Sequence, residues 1–576
     1  MSTKITKFFL LAIISLSFFL RVYKVTSIPP SLNWDETSIA YNAYSILKTG
    51  KDEWGMFMPL HFRSFGEYKL PAQIYGSIPG IAIFGLNEFG VRITPVVYGT
   101  LSVLLLYFLL LEMLNNLPKK ELKIISRKER EKISLMAAFL LAISPWHIQL
   151  TRGSFESSFS LFWILMGLWF WVKGLKGRGK QLKWIVLSMI PFAISIYTYN
   201  SARVFTPLFL LVVAIFYRKF FWKHKKWSLI SGVLMIILMA PLIPFVLSGE
   251  ASARYKLVSI TDDAGLIPRI EERRNNSKLP FVINKLINNR YTYNTFYFSK
   301  NYLTHFTPNF LFVDGAGHKQ HHVQGVGELY WFQAPFLLYG LYILLKKKSS
   351  SLKILLPWLL IAFIPVSMTN DSIPNALRTL IAVPVYQILT AVGIYYFAKN
   401  VKNKQSLAGI AGKKLIKNTL VVGSVLFAVN FYIFLNSLFV KYPISYSRDW
   451  QYGNKQVVGY IKDNQDKYDL VTFTRSYGEP HIFTLFNLAY DPAKFQSISN
   501  LERFETYDWV RVLRFDKYYF PDLGDEGSKY DDIVKDNSDK KILFIGKPGD
   551  FPEYVEVLER VNFLNGDGAF EIVDNQ

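Results

Sequence analysis

The chain has 576 residues, of which 51% are apolar, 16% aromatic and only 19% charged, where soluble domains carry about a quarter charged residues. Its net charge of +23 sits mainly in short basic runs between apolar stretches, a placement that argues against a nucleic-acid partner. It contains no Cys, which excludes disulfides, thiolate metal sites and cysteine nucleophiles.

Along the chain, Lys4 and Lys7 precede "FFLLAIISLSFFL", an apolar run with no small-residue cleavage pattern behind it, which reads as an uncleaved first helix. Membrane spans are predicted near 7–24, 92–112, 133–150, 155–172, 184–199, 203–218, 227–247, 330–345, 353–368, 379–398 and 418–438. These spans put five basic loops, 119–132, 173–183, 218–226, 346–353 and 399–414, on the side of the N-terminus, where Lys and Arg accumulate in cytoplasmic loops. Counting the apolar stretch 70–86 as a further span would put all five outside, so it is expected to be an interfacial or re-entrant helix. The expected fold is a polytopic α-helical membrane protein of about 11 transmembrane helices. Residues 1–439 form the membrane domain, with outer loops 25–91 and 248–329, and residues 440–576 form a small soluble α/β domain outside the cytoplasm. In that last piece a helix precedes a strand at 470–474, "KKILFIGKP" and "AFEIVD" read as strands, and "PEYVEVLERV" as a helix.

Charged residues beside hydrocarbon are costly and mark candidate sites. Asp35 and Glu36 follow the first span, although acidic residues in a first helical turn also favour the helix dipole. In the same outer loop, "FRSFGEYKLP" brings Glu67 and Lys69. There a cation can neutralise a leaving phosphate and a carboxylate can take the proton of an attacking hydroxyl. Arg152, Arg203 and Arg378 stand at the outer ends of later spans, on the face where positive charge is sparse, a rim suited to an anionic lipid headgroup. His318, His321 and His322 form H-x-x-H-H before the span at 330. This spacing suits a divalent metal ion shared with a carboxylate, or a phosphate. Walker, G-x-S-x-G and H-E-x-x-H motifs are absent.

The "NWDE" start, "FGEYKLP", "EFGVRITP", "SPWHIQLTR" and "ALRTLIAVP" together resemble the GT-C glycosyltransferases, above all the protein O-mannosyltransferase family (glycosyltransferase family 39) and its aminoarabinose-transferring relatives. The resemblance implies an inverting integral-membrane enzyme of the plasma (inner) membrane, with a cytoplasmic N-terminus. It would move a sugar from a polyprenyl-phosphate carrier to a hydroxyl acceptor on the outer face. Asp35 would be the catalytic carboxylate and Glu36 its neighbour. Lys69, Arg152, Arg203 and Arg378 would hold the donor phosphate, and Glu67, His318, His321 and His322 would stand near the substrate or a divalent metal. Tyr68 and Leu70 separate residues that family members keep adjacent as Glu-Lys-Pro. The competing reading is a transporter or flippase for lipid-linked sugars, against which no internal repeat is visible.

Overall fold

The computed structural model describes residues 3–576 apart from 124, 178, 264, 408, 409, 507 and 508, so the basic loops 119–132, 173–183 and 399–414 each include positions outside the described residues. Every predicted apolar run coincides with helix, in some cases broken once. The run 133–150 is helix Arg127–Ala142 and then Pro145–Leu150, because Ser144 caps a new helix with Pro145 at its first position. Among the described residues five helical stretches are long and apolar enough to cross a membrane by themselves: Lys4–Val22, Glu88–Asn115, Lys225–Leu247, Ala376–Val401 and Val421–Ser445. The chain is a multi-pass membrane protein.

Helix α1 (Thr3–Val22) leads through an irregular segment to α2 (Trp34–Thr49), then to the hairpin β1 (Phe62–Ser64) and β2 (Glu67–Lys69). Next come α3 (Pro71–Phe84) and α4 (Glu88–Asn115). α2 starts where Asn33 accepts the Glu36 N–H and stops at Gly50, which is left-handed (φ 72°). α3 is the stretch expected to be interfacial or re-entrant. Its 14 residues reach about 21 Å, short of the ~30 Å hydrocarbon core. It lies against α4 at a glycine contact, where a Cβ on Gly80 would stand 2.4 Å from the Gly90 carbonyl oxygen.

The main core is apolar and joins the helices 88–115, 127–142, 156–174, 333–346 and 383–407. The helices Gln333–Lys346 and Val383–Leu407 approach backbone to backbone. A Cβ on Gly340 would lie 1.9 Å from the Leu389 carbonyl oxygen, and one on Gly393 would lie 1.8 Å from that of Phe336. In lipid, where apolar side chains gain little by leaving hydrocarbon, such close approach is what holds helices together.

The C-terminal part is a seven-stranded mixed sheet of β3 (Leu470–Phe473), β4 (Glu502–Glu505), β5 (Val510–Phe515), β6 (Tyr518–Tyr519), β7 (Ile542–Gly546), β8 (Glu559–Asn562) and β9 (Gly568–Asp574), in the order β4-β5-β6-β3-β7-β9-β8. β3 runs parallel to β6 and β7, with Leu470 opposite Ile542. Its strands β3 and β7 are buried throughout, and apolar but for Thr472, because both faces are covered. Leu470, Ile542 and Phe544 join one cluster, while Val471, Phe473, Leu543 and Ile545 join another with Tyr41 of α2 and Phe65 of the hairpin. The expected helix in "PEYVEVLERV" is not formed. Val555 and Val557 pack as non-helical chain against the sheet, and Glu559–Asn562 pair with β9 as its edge strand. β-branched residues beside an open sheet edge gain more from that pairing than from an isolated helix.

Candidate active site

The segment between α1 and α2, "YKVTSIPPS", is irregular and partly buried, and Pro29 and Pro30 give it no ladder of its own. Its carbonyls are taken up by two buried arginines. Arg92 donates to the carbonyl oxygens of Val25, Pro29 and Ser31, and Arg152 to those of Leu20, Arg21, Tyr23 and Ile28. Arg152 is fully buried and its guanidinium hydrogen bonds go to backbone carbonyls rather than into the cavity.

This scaffold separates the acidic pair. Glu36 turns inward and accepts from Arg92 Nε (3.1 Å), Arg92 Nη2 (2.8 Å) and the Ser154 N–H (2.8 Å), with 1% of its side chain exposed. Its carboxylate takes three donors and ties the first turn of α2 to α4. Asp35 turns the other way. Its carboxylate is 44% exposed and lies 2.5 Å from Lys69 Nζ. Lys69 also meets Glu67 at 3.5 Å, and Glu67 meets Arg254 at 3.4 Å. Burial disfavours the Lys69 ammonium, but Asp35, Glu67 and Glu156 around it more than reverse this and raise its pKa.

Asp35 and Lys69 line a cavity of about 960 Å³. Of the predicted residues, Glu36, Glu67, Arg203, Arg378, His318 and His321 line it too, whereas Arg152 and His322 do not. Arg203 Nη1 donates to Asn200 Oδ1 (3.2 Å), its guanidinium lies 5.2 Å from the Phe245 ring, and its buried Nη2 lacks a hydrogen-bond partner. Arg378 is held against Asp371 at 2.7 Å. His322 points away from the cavity: its Nδ1 lies 2.9 Å from Glu328, both buried, and it fills the space beside Gly315, where a Cβ would collide with the ring.

Two features escaped the sequence reading. Arg254, which lines the cavity, follows the span 227–247 but is one of five arginines in 248–329, so nothing in the sequence marks it. Trp509 reaches the cavity from just before β5 and packs over Gly66 of the β1–β2 hairpin. No local pattern could announce that long-range contact. The residues expected near a divalent metal do not fit one as arranged, because Glu67 is paired with Lys69 and Arg254, and His322 with Glu328. Among the described residues no three His, Asp or Glu side chains converge as a metal site.

A membrane helix bundle with an acidic–basic pair at the mouth of a polar cavity defines the class, and comparison with known proteins sharpens it. Residues 122–245 match the family model described as dolichyl-phosphate-mannose-protein mannosyltransferase. A stretch of 161 residues is 32% identical to undecaprenyl phosphate-alpha-4-amino-4-deoxy-L-arabinose arabinosyl transferase 1 of Pseudomonas fluorescens, taking in 27% of this chain and only 26% of that relative. In three dimensions the whole chain is similar to ArnT from Cupriavidus metallidurans. In the apo state the TM-score is 0.54 at 12% identity, covering 100% of this chain and 98% of that one. The same protein bound to undecaprenyl phosphate gives a TM-score of 0.52 at 12% identity, with 100% and 99% covered. The chain shares the fold of that ArnT structure over its whole length.

Proposed function

We propose that the chain is an inverting glycosyltransferase that takes a sugar from a polyprenyl-phosphate carrier and gives it to a hydroxyl acceptor outside the cytoplasm. One observation carries this reading: a half-exposed carboxylate, Asp35, stands against a buried ammonium, Lys69, in a cavity that Arg254, Arg203 and Arg378 also line. The ArnT relative of the same fold binds undecaprenyl phosphate, which supports a lipid-linked donor. In this reading residues 1–439 are the catalytic membrane domain and 440–576 the extracytoplasmic domain, with the N-terminus cytoplasmic, a placement the five basic loops support.

In the reaction the acceptor oxygen attacks the anomeric carbon and Asp35 takes its proton. The bond from that carbon to the phosphate oxygen breaks on the opposite face, and the phosphate leaves with the electron pair. Lys69, freed from Asp35 as that carboxyl gains the proton, turns to the departing oxygen, and Arg254, Arg203 and Arg378 are the further cations of the pocket.

The test is purified protein in detergent with radiolabelled polyprenyl-phosphate sugar. Wild type transfers label, and Asp35→Asn lowers the rate by about 10²–10⁴-fold, the range of a general base. Carrier binding by wild type with no sugar released or transferred would overturn the enzyme in favour of a transporter.

A further inference from the structure

Beyond the Asp35–Lys69 pair, the cavity wall opposite is built from an irregular loop, residues 314–332, that carries His318 and His321. The loop is fastened from several directions. Gln320, between the two histidines, accepts from Asn33 Nδ2 through its side chain and from Gln149 Nε2 through its carbonyl, and donates from Nε2 to the Asp449 carbonyl. Tyr442 OH donates to the Lys319 carbonyl (2.6 Å). A turn, with the His321 N–H donating to the His318 carbonyl, lays one imidazole on the other, centroids 3.8 Å apart and planes within 12°. Phe155 closes edge-on against His321 at 5.3 Å.

Two imidazoles held face to face so closely are not both charged, since like charges at this separation repel. Burial also holds each below its ordinary pKa. The charged groups around them are Asp35, Asp449, Arg254 and the paired Asp371 and Arg378. Nδ1 of each ring is buried with no hydrogen-bond partner, in a fold where buried polar atoms are normally paired. Neutral rings with nitrogens left over, beside Arg254 and Arg378, form a group waiting for an anion that can accept a hydrogen bond and lend one ring a proton's worth of stability.

We infer that His318 and His321 form a phosphate subsite in which the stacked pair takes up one proton from solvent when a phosphate monoester enters, so that a single imidazolium faces the anion. This rests on the reading of the cavity given above and extends it. The donor diester carries one negative charge, and the monoester left after transfer carries nearly two, so the pair is matched to the product phosphate. One proton, and not two, is gained, because the second ring stays neutral beside the first.

The test is calorimetry of the full chain in detergent at neutral pH, in two buffers of different ionisation enthalpy, with farnesyl phosphate and separately with inorganic phosphate. Wild type is expected to take up more protons on binding than His318→Gln or His321→Gln, by up to roughly one. Glutamine keeps a hydrogen-bonding group but cannot titrate, and the alanine variants are expected to lose affinity about tenfold. Thermal unfolding of each variant separates lost binding from lost fold. His-dependent proton uptake with both ligands, with the prenyl phosphate alone or with inorganic phosphate alone supports the subsite and tells carrier phosphate from free phosphate. Equal uptake and equal affinity in wild type and all His variants overturns it. If wild type transfers sugar while the His variants bind phosphate unchanged, the subsite fails and the enzyme reading stands. If phosphate binding is His-dependent but no transfer occurs, the reverse holds.

Discussion

Neighbouring residues with the same chemistry can hold opposite jobs, and Asp35 and Glu36 are such a pair. The helix start rotates one toward the cavity and the other onto Arg92, so their substitutions should separate cleanly. Asp35→Asn, which leaves Lys69 its contact with Glu67, is expected to leave the unfolding temperature nearly unchanged while lowering the transfer rate about 10²–10⁴-fold. Glu36→Ala, which strands a buried guanidinium, should cost about 3–5 kcal/mol of stability, read as a lowered denaturation midpoint in detergent. Arg152→Met should likewise lower the midpoint, because it leaves four carbonyls without their donor, and should leave the donor KM of the folded fraction unchanged. A raised KM with an unchanged midpoint would return Arg152 to the phosphate. The sequence could point to Arg152, Arg203 and Arg378, each at the outer end of an apolar run, but not to Arg254, one of five arginines in 248–329. It could not sort the first three, because an arginine that grips backbone and one that awaits a ligand present the same local pattern.

At the scale of elements, two features carry testable consequences. In the loop after α2, Glu53 is buried, with one carboxylate oxygen accepting from Asn42 Nδ2 (2.9 Å) and the other without a partner. Burial pushes its pKa up to about 8 from the ordinary 4.5. A folded-state pKa above the unfolded one means the protonated form is favoured on folding. That stability is complete below the unfolded value and is lost as pH rises through about 8. Wild type should therefore become less stable relative to Glu53→Gln as pH climbs from about 5 to 8, a difference visible in melting curves across that range. The glycine contact between helices 333–346 and 383–407 predicts that Gly393→Leu, whose side chain has no room beside the Phe336 carbonyl, separates the pair and lowers the midpoint. Helices were legible from hydropathy because each apolar run had to satisfy its own backbone in lipid. The segment 552–561 was not, because its apolar spacing also suits a helix, although the turn 563–567 that joins it to β9 carries a local hairpin signal in Asn565 and Gly566.

For the whole molecule, the main observation is that the sheet is not a separate appendage: Tyr41 of α2 and Phe65 of the hairpin enter its apolar face, and Trp509 returns the contact at the cavity. The chain has no Cys, so orientation can be tested with single introduced thiols. Ile125→Cys should react with an impermeant reagent only from the cytoplasmic side, and Asn500→Cys only from the opposite side. Reaction of both from one side would undo the assignment of the faces. Architecture was largely readable from charge and hydropathy, which act over twenty residues at a time. The meeting of α2, the hairpin, the histidine loop and the sheet around one cavity was not, since it depends on contacts between positions hundreds of residues apart.

The grip of Arg92 and Arg152 on the segment before α2 is made entirely through carbonyl oxygens, and every residue type supplies one. The segment is therefore a ruler whose length is fixed and whose lettering is free. Exchanging Val25, Thr26 or Ser31 for residues of similar size should be tolerated, whereas inserting or deleting one residue there would shift every carbonyl off its donor and carry Asp35 out of reach of Lys69. Among relatives of this fold, alignments should be gapless here even where identity fades.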